Sequence, residues 1–316
     1  MSNGLHVVFG TGPVGAWTAR ALREMGLPVR AVNRSGKRPD LMPADVEVAA
    51  ADLSDPRQAT EAARGAAVVY QALNPPYHRW PELFPPLQLS AMEAARAAGA
   101  RYVSIDNLYG YGPVPGTLTE ATPQAPNTKK GRLRAAMTRE VLDAHARGDL
   151  RAAILQSSDY YGPGVVLSEF GGRTFPPLLA GTAADIIGSA DQPHSYAYIE
   201  DVGKAAAALG TREEALGRVW FAPHAPAETQ RAMIEDACRQ LGIAPRIRVI
   251  GPMMMRLAGM FVPVARESVE MLYQFTEPFV VSSAAIESAF GLTPTPITEG
   301  LRRTLQWYRE RVSSSQ

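Results

Sequence analysis

A lysine that stands one helical turn before an arginine is a candidate for proton transfer in this sequence. In the stretch KGRLR, Lys130 and Arg134 have the i, i+4 spacing that places two side chains on one face of a helix. A lysine enclosed beside a second cation gives up its proton more readily than a solvated one, and can then serve as an acid or a base. Lys129 points about 100° away and is the weaker candidate. Lys130 is therefore a candidate acid or base. The alternatives are that Lys130 and Arg134 contact a cofactor phosphate or ribose, or lie on a solvated helix face.

Further acid–base candidates follow the ends of two apolar runs. Asp106 and Tyr109 come after RYVSI, residues 101–105. Ligands of open α/β sheets bind beyond the carboxyl ends of the strands, so we predict that Asp106 and Tyr109 join Lys130 as catalytic groups. The residues predicted to contact substrate all carry a ring and follow such runs or lie in nearby loops: Tyr77, Tyr111, Tyr160, Tyr161 and His194. The alternatives are that these rings are packing residues and that Asp106 caps a turn.

A glycine-rich turn near the N-terminus has the spacing of a dinucleotide-binding loop. Gly10, Gly12 and Gly15 form G-x-G-x-x-G between the apolar run LHVVF and a segment with helical periodicity. Gly10 allows a tight turn, Gly12 lets the backbone approach a pyrophosphate, and Gly15 lets the helix pack closely on the strand. The free N–H groups at the start of the helix then face the anion. We expect Pro13 and Val14 to belong to the same cradle.

The cofactor is predicted to be NADP, with NAD the less favoured choice. The second strand ends at AVNRSGKR, where an NAD site would place an acid for the ribose hydroxyls. This chain has Asn33, Arg34, Ser35 and Arg38 there, and a guanidinium binds a phosphate well. A solvated basic loop is the alternative. The remaining predicted cofactor contacts are Asp52 and Leu53 for the adenine, Leu73 and Asn74 for the nicotinamide-side ribose and phosphates, and Lys130.

Strands that alternate with helices must position these residues. The alternation from residue 5 onward predicts an α/β fold with a doubly wound parallel Rossmann sheet. The predicted strands are 5–9, 28–34, 46–53, 66–73, 101–105, one within 150–162, 217–223 and 246–250. The predicted helices are 55–65, about 82–99, about 127–147, about 228–241, and two or three more at the end of the chain. After about residue 160 prolines and glycines cluster, which indicates a smaller C-terminal substrate-binding lobe. We predict a Rossmann core of residues 1–160, to which 191–223 return, and a lobe of residues 161–190 and 224–316.

The bulk composition excludes several classes of protein. The 316 residues carry a net charge of +1, so no general field attracts nucleic acid or an anionic membrane. The one cysteine, Cys238, forms no intramolecular disulfide, and we expect a packed thiol and no metal site. The N-terminus lacks a signal-peptide pattern, and the run GPMMMRLAGMFVPVARE is interrupted too soon by charges to span a membrane. We therefore expect a cytoplasmic protein.

Six short stretches occur in an order that matches one known superfamily. They are GTGPVG (10–15), NLYGYG (107–112), EATPQAP (120–126), SDYYGPG (158–164), YAYIEDVGKAAAAL (196–209) and FGLTPTPITEGLRRTLQWYRE (290–310). Over nearly the whole chain, the sequence resembles the extended and atypical short-chain dehydrogenase/reductase superfamily, of the NAD-dependent epimerase/dehydratase type. The resemblance implies a Rossmann fold, a nicotinamide dinucleotide, and a homodimer formed through the two long helices near 82–99 and 127–147.

The superfamily's proton-transfer residues are replaced in this chain. The family uses a serine together with a tyrosine and a lysine spaced Y-x-x-x-K, and the phenol exchanges a proton with the substrate while hydride moves at C4 of the nicotinamide. Lys130 comes 21 positions after Tyr109, close to the interval expected for that tyrosine, and Gly131 follows it. The pattern thus becomes K-x-x-x-R, and Ile105 stands at the serine position. The resemblance implies that Lys130 takes the place of the phenol, and on this ground we predict that Lys130 is catalytic. The phenylcoumaran and isoflavone reductase branch is similar in using a lysine without this tyrosine.

Three functions remain open, all with a small molecule as partner. The first is an NADP-dependent oxidoreductase acting on a small, largely apolar carbonyl or enone, which the ring-rich predicted pocket and the methionines of MMMRLAGMF favour. The second is a nucleotide-sugar epimerase or dehydratase, or a non-redox isomerase or cyclase on the same scaffold. Arg173 is the one arginine that we single out for a substrate diphosphate. The third is an NADP-binding sensor without turnover.

Overall fold

A parallel sheet of seven strands forms the centre of the chain in a computed structural model, which describes residues 4–261 and 263–314. The strands in chain order are β1 (Leu5–Phe9), β2 (Val29–Asn33), β3 (Glu47–Ala50), β4 (Ala66–Gln71), β5 (Arg101–Asn107), β6 (Thr117–Leu118), β7 (Arg151–Ser157), β8 (Tyr160–Tyr161), β9 (Ala184–Ile187), β10 (Pro193–His194), β11 (Ala197–Tyr198), β12 (Val219–Phe221), β13 (Glu228–Thr229), β14 (Ile247–Ile250) and β15 (Val280–Val281). The large sheet has the order β12-β7-β5-β4-β1-β2-β3, and neighbouring strands run parallel. The strand order reverses between β1 and β4, which is where open α/β sheets bind ligands.

Helices cover both faces of this sheet. In chain order they are α1 (Pro13–Glu24), α2 (Pro56–Ala62), α3 (Trp80–Ala97), α4 (Lys129–Ala146), α5 (Phe175–Leu179), α6 (Ile199–Thr211), α7 (Gln230–Leu241), α8 (Pro252–Gly259), α9 (Pro263–Ser268), α10 (Tyr273–Thr276), α11 (Ala284–Phe290) and α12 (Ile297–Ser314). Helices α1 and α6 enclose one hydrophobic core, which includes Val8, and α2, α3 and α4 enclose another, which includes Phe9. Successive side chains of a strand point to opposite faces, and both faces of β1 are buried; four of its five residues are apolar, and the fifth is His6.

A smaller group of elements has its own core. Short strands pair β9 with β14, β10 with β13, β8 with β11, and β6 with β15. Phe170, Phe175, Tyr196 and Leu301 are among the buried residues of this core, and α12 packs there against α5 and α7. Cys238 is buried in α7. The exact division into core and lobe stays a prediction, and its ends, residues 1–3 and 315–316, lie outside the described residues.

The predicted fold class is confirmed, and the differences from the predicted elements have local causes. The strand predicted over 46–53 ends at Ala50, because Asp52 turns the chain by accepting hydrogen bonds from the amide and hydroxyl of Ser54 at 3.1 and 2.7 Å. The prediction of two or three final helices is wrong, since α8 to α12 all follow residue 251. Pro252 begins α8, and Glu277, which precedes Pro278, adopts an extended conformation that ends α10. No helix in the described ranges combines the length and the apolar character needed to cross a membrane.

Candidate active site

Glycines shape the turn from β1 into α1: Gly10 and Gly12 lie in the loop, and Gly15 lies in the first turn of α1. Gly10 has a φ of 105°, and a Cβ there would lie 2.5 Å from the carbonyl oxygen of Ala72. A Cβ on Gly15 would lie 2.0 Å from the carbonyl oxygen of Gly10. At Gly12 nothing lies within 4 Å of the same position, so this face of the loop is open at the start of the 12-residue helix α1. The predicted cradle therefore has the shape that a pyrophosphate requires.

Asn33 organises the basic loop that follows β2. Its side-chain oxygen accepts hydrogen bonds from the amides of Ser35 and Gly36 at 3.0 and 2.7 Å. Its side-chain nitrogen donates to the Thr11 hydroxyl at 3.0 Å and to the Lys37 carbonyl at 2.8 Å. Asn33 thus joins the basic loop to the phosphate loop and stands where an NAD-specific acid would be expected.

The two arginines of this loop differ in the contacts that their guanidinium groups already make. The Arg34 side chain is 82% exposed, and its guanidinium lies 4.0 Å from the carboxylate of Asp52. Arg38 is also exposed but donates a hydrogen bond to the carbonyl of Pro43, which holds it against its own loop. Asp52 remains a strong acceptor, because hydrogen bonds from Ser54 lower the pKa of its carboxyl. Arg34 is therefore the cation of this loop that is best placed to meet a ribose phosphate.

The other predicted cofactor contacts lie in different surroundings. Leu53 is buried in the same core cluster as Phe9, so its side chain packs and only its backbone can face a ligand. Leu73 is half-buried, and Asn74 is exposed after β4. The Asn74 side-chain oxygen accepts a hydrogen bond from the indole of Trp80 at 3.2 Å. Contact with the cofactor stays a prediction for each of them.

Lys130 lies in the first turn of α4, with a side chain that is only 1% exposed. Its amine contacts the carboxylate of Glu267 in a short ion pair and lies 3.3 Å from the carboxylate of Glu270. It also lies 4.5 Å from the centre of the Tyr77 ring, within range of a cation–π contact. The amine therefore does not face bulk solvent, and it is held by two carboxylates and an aromatic ring.

Glu270 also completes the start of α4. Its carboxylate accepts hydrogen bonds from the backbone amides of Lys129 at 2.7 Å and Lys130 at 3.3 Å. The hydroxyl of Thr128, the N-cap residue, accepts from the amide of Gly131 at 2.9 Å. A carboxylate at this position complements the positive end of the helix dipole. The segment around residues 267–270 is thereby fixed to the helix that carries Lys130.

Arg134 and Asp106 form a buried ion pair, each with a side chain that is 2% exposed. The Asp106 carboxylate also accepts a hydrogen bond from the hydroxyl of Thr138 at 3.2 Å. The guanidinium lies 4.1 Å from the centre of the Phe84 ring. Asp106 thus joins the end of β5 to α4. Its proposed catalytic role stays a prediction, because its observed contacts are those of an anchor for Arg134.

The predicted tyrosines are divided among several clusters. Tyr77 and Tyr109 lie in an aromatic cluster with Trp80, next to Lys130, and burial raises the pKa of both phenols above its usual range. The hydroxyl of Tyr111 donates to the side chain of Gln156 at 3.0 Å.

Tyr160 and Tyr161 face different environments. Burial, followed by the charge of Asp106, raises the pKa of Tyr160. Tyr161 is 1% exposed and packs in the core of the smaller lobe, where a Cβ on Gly300 would lie 2.5 Å from its hydroxyl. Neighbouring residues of a short strand point in opposite directions, so these two tyrosines cannot share one pocket. Of the predicted substrate contacts, only Tyr77 touches Lys130 directly.

The ring of His194 lies against a backbone carbonyl, an aromatic ring and a carboxylate. Its Nδ1 lies 2.9 Å from the carbonyl oxygen of Gln274, and its ring stacks on that of Phe275 with centres 5.1 Å apart. Its Nε2 lies 3.2 Å from the carboxylate of Asp159, although the angles there are not those of a hydrogen bond. Nearby, burial raises the pKa of Glu169 to about 7. This histidine and the two acids form a polar group beside the end of β7.

Glu267 and Glu270 are the functional candidates that sequence reasoning missed. They contact Lys130 across 137 and 140 positions of the chain, and no local pattern in VARESVEM indicates such a contact. Within residues 4–261 and 263–314, no three His, Cys, Asp or Glu side chains form a group that could hold a metal ion.

Comparison with known proteins places these features in context. A model of the NAD dependent epimerase/dehydratase family matches residues 7–222. MoeE5, solved with UDP-glucose and NAD, has a TM-score of 0.77 at 21% identity, with 98% of this chain and 100% of that chain covered. DesIV, a dTDP-glucose 4,6-dehydratase from Streptomyces venezuelae, has a TM-score of 0.79 at 17% identity, with 98% of each chain covered. The epimerase Mth375 from Methanothermobacter thermautotrophicus has a TM-score of 0.81 at 15% identity, with 98% and 94% covered. No curated protein matches the sequence.

Proposed function

The chain belongs to the NAD dependent epimerase/dehydratase family, and we propose that it is an enzyme acting on a hydroxyl- or carbonyl-bearing substrate of the nucleotide-sugar type. The observation that carries this proposal is the buried amine of Lys130, in the first turn of α4 and against the ring of Tyr77. The resemblance of the sequence implies that a phenol stands at this register in the usual pattern of the superfamily. A nicotinamide dinucleotide, when bound, supplies the hydride chemistry.

The residues of the phosphate loop fit that cofactor. Gly10 and Gly15 allow the tight turn, and the open side of Gly12 leaves space for the pyrophosphate at the start of α1. We propose NADP as the preferred form, because Arg34 is 82% exposed and has only a distant carboxylate partner. The 2′-phosphate of NADP offers a doubly charged acceptor to this guanidinium. The similar structures MoeE5 and DesIV were solved with NAD, so this preference needs a direct test.

Lys130 would exchange a proton with the substrate. Its amine is paired with the carboxylate of Glu267. On a substrate hydroxyl the amine would take the proton while the adjacent carbon is oxidised, and on a carbonyl that is being reduced it would give the proton to the oxygen. Glu267 is 31% exposed, so its carboxylate connects the buried amine to solvent and can return the proton. Arg134, held by Asp106, is not free to do this.

Support for a nucleotide-sugar substrate comes from the family and from the extent of the structural similarity. MoeE5, DesIV and the epimerase Mth375 each match 98% of this chain, which includes the smaller lobe. Arg173, the arginine predicted for a diphosphate, is 48% exposed and lies 3.7 Å from Glu169. An incoming phosphate would have to compete with that carboxylate for the guanidinium.

A second candidate function is the reduction of a small apolar carbonyl or enone. The surroundings of Lys130 favour it, because Tyr77, Tyr109 and Trp80 form an aromatic cluster there. Such walls suit an apolar ligand better than a sugar with many hydroxyl groups. A homodimer through α3 and α4 stays a prediction in either case.

Turnover assays separate these functions. The enzyme would be offered UDP-glucose, dTDP-glucose and UDP-glucuronate in one series, and cyclic ketones and enones with NADPH in another. We expect turnover in the first series and a loss of about 10²- to 10⁴-fold in Lys130→Met, the usual contribution of one acid–base group. The control is Lys129→Met, which removes an exposed lysine from the same turn. Unchanged turnover in Lys130→Met would exclude Lys130 from the mechanism, and activity only in the second series would favour the second function.

Cofactor preference is tested by titration with NADPH and NADH. We expect tighter binding of NADPH, and Arg34→Ala should weaken NADPH binding while leaving NADH binding unchanged. Arg64→Ala is the control, because this exposed arginine pairs with Glu61 and is not among the predicted cofactor contacts. Equal affinities for the two cofactors in the wild-type protein would reject the preference for NADP.

A further inference from the structure

A cavity of about 580 Å³ lies between the phosphate loop and the last helix. Thr11, Gly12 and Pro13 of the phosphate loop contribute to its wall, and so do Trp307 and Arg311 of α12. Cavities of 300–1,000 Å³ are typical of small-molecule sites. The C-terminal helix therefore borders the same space that the open side of the phosphate loop faces.

Arg311 is the cation of α12 in this wall. Its guanidinium lies 2.6 Å from the carboxylate of Asp40 and 4.6 Å from the centre of the Trp307 ring. The side chain of Asp40 is 86% exposed and that of Arg311 is 42% exposed. Ion pairs that are this exposed are weak, because water competes for both partners. The guanidinium can therefore exchange this carboxylate for a stronger acceptor.

Tyr308, which follows Trp307 in α12, fixes the position of this helix beside the cavity. The hydroxyl of Tyr308 donates a hydrogen bond to the carbonyl of Val165 at 2.7 Å. Val165 and Gly164 follow the Tyr-Gly-Pro turn after β8, and Gly164 lines the cavity. Since Tyr308 is 5% exposed, this contact holds the end of α12 in place without help from the Arg311–Asp40 pair.

We propose that Arg311 is a further cofactor-binding residue, which exchanges the carboxylate of Asp40 for the pyrophosphate of the dinucleotide. A guanidinium forms paired, charge-assisted hydrogen bonds with phosphate oxygens, and the stacked indole of Trp307 keeps its plane oriented. The smaller lobe thereby contributes a cation to a site whose other predicted contacts all come from the Rossmann core. This inference rests on the proposed dinucleotide but not on the proposed role of Lys130.

Calorimetric titration of the full chain with ADP, adenosine, NADH and NADPH tests the inference. Arg311→Gln should raise the Kd for ADP, NADH and NADPH by about tenfold, and leave the affinity for adenosine unchanged, because a charged hydrogen bond is lost. Asp40→Asn should bind ADP at least as tightly as wild type, since it removes the competing carboxylate. The control is Arg302→Gln, an exposed arginine of the same helix that pairs with Glu299 and lies outside the cavity wall.

The outcomes separate this inference from the proposed function. A wild-type Kd for ADP in Arg311→Gln would overturn it, and so would a loss confined to NADPH, since that loss would place Arg311 at the 2′-phosphate. If wild-type protein binds no dinucleotide at all, the proposed function fails as well. Circular dichroism of Arg311→Gln must match wild type. If Arg311→Gln is unfolded, the Kd of Arg311→Lys for NADH tests the inference instead. A lysine keeps the charge but loses the paired hydrogen bonds, so a wild-type Kd for this variant counts against the inference.

Discussion

The ion pair between Asp106 and Arg134 gives the sharpest prediction about stability. Asp106→Ala removes the carboxylate and leaves a guanidinium whose side chain is 2% exposed without its anionic partner. Breaking a buried pair from one side costs about 3 to 5 kcal/mol, because the remaining charge is neither solvated nor paired. The variant also loses the hydrogen bond from Thr138 at 3.2 Å, worth about 1 kcal/mol, which partly overlaps the first cost. We expect a total loss of about 4 kcal/mol.

The assay is equilibrium unfolding in urea followed by tryptophan fluorescence. Trp80 lies against the Arg134 guanidinium and reports on this region. The free energy of unfolding follows from the midpoint and the slope of the transition. The double variant Asp106→Leu/Arg134→Met should be more stable than Asp106→Ala, because it leaves no buried charge. The control is Arg302→Ala, which breaks an exposed pair with Glu299 and should change stability little.

Two results would refute this reasoning. If Asp106→Ala loses less than about 1 kcal/mol, the pair is not buried as described or water reaches the guanidinium. If the double variant is as unstable as the single one, the loss comes from packing between β5 and α4 and not from the unpaired charge. Either outcome would also remove the argument that Asp106 anchors the helix that carries Lys130.

Two further predictions concern pH and packing. Burial raises the pKa of Glu169 to about 7 from an unfolded value of 4.5, so its contribution to stability is full below pH 4.5 and is lost as the pH rises through 7. Glu169→Gln should therefore be more stable than wild type at pH 8 by up to about 3 kcal/mol, with no such gain at pH 4. Unfolding curves at both pH values measure this, and the same difference in free energy of unfolding between variant and wild type at pH 4 and pH 8 would contradict it. A Cβ on Gly203 would lie 2.5 Å from the carbonyl carbon of Trp17, so Gly203→Ala should force α1 and α6 apart and cost about 1 to 3 kcal/mol. Gly251→Ala, where nothing lies within 4 Å, is its control, and equal melting temperatures for the two variants would disprove the close packing.

Local sequence patterns were sufficient for the sheet and the phosphate loop. The run LHVVF and the spacing of Gly10, Gly12 and Gly15 depend on residues that are close together in the chain, and the structure has β1, the tight turn and α1 where they predict them. The register of Lys130 also came from a short interval, counted from Tyr109. Patterns of this kind predict well because strand sterics and helix spacing act over a few residues.

Local sequence patterns could not predict contacts between residues that are far apart in the chain. Glu267 and Glu270 reach Lys130 because the smaller lobe packs against α4, and nothing in the spacing of charges indicates this. The sequence alone argues against Tyr160 and Tyr161 both contacting substrate, since a strand cannot direct two consecutive tyrosines to the same side, and Tyr161 lies in the core of the smaller lobe. Leu53 and Asp52 also differ in their surroundings, because the Leu53 side chain is buried and the Asp52 side chain is partly exposed to solvent.

The replacement of Y-x-x-x-K by K-x-x-x-R changes where the proton-transfer residue finds its electrostatic partner. The resemblance implies that in the usual pattern the partner is the lysine one turn along the same helix. Here Arg134 is committed to Asp106, and the amine of Lys130 is paired with Glu267 from the chain that follows α8. Because Lys130 pulls the pKa of Glu267 down, the carboxylate stays ionised at neutral pH and keeps its hold on the amine. The proposed proton transfer by Lys130 therefore requires the segment Pro263–Ser268, which carries Glu267, to pack against α4.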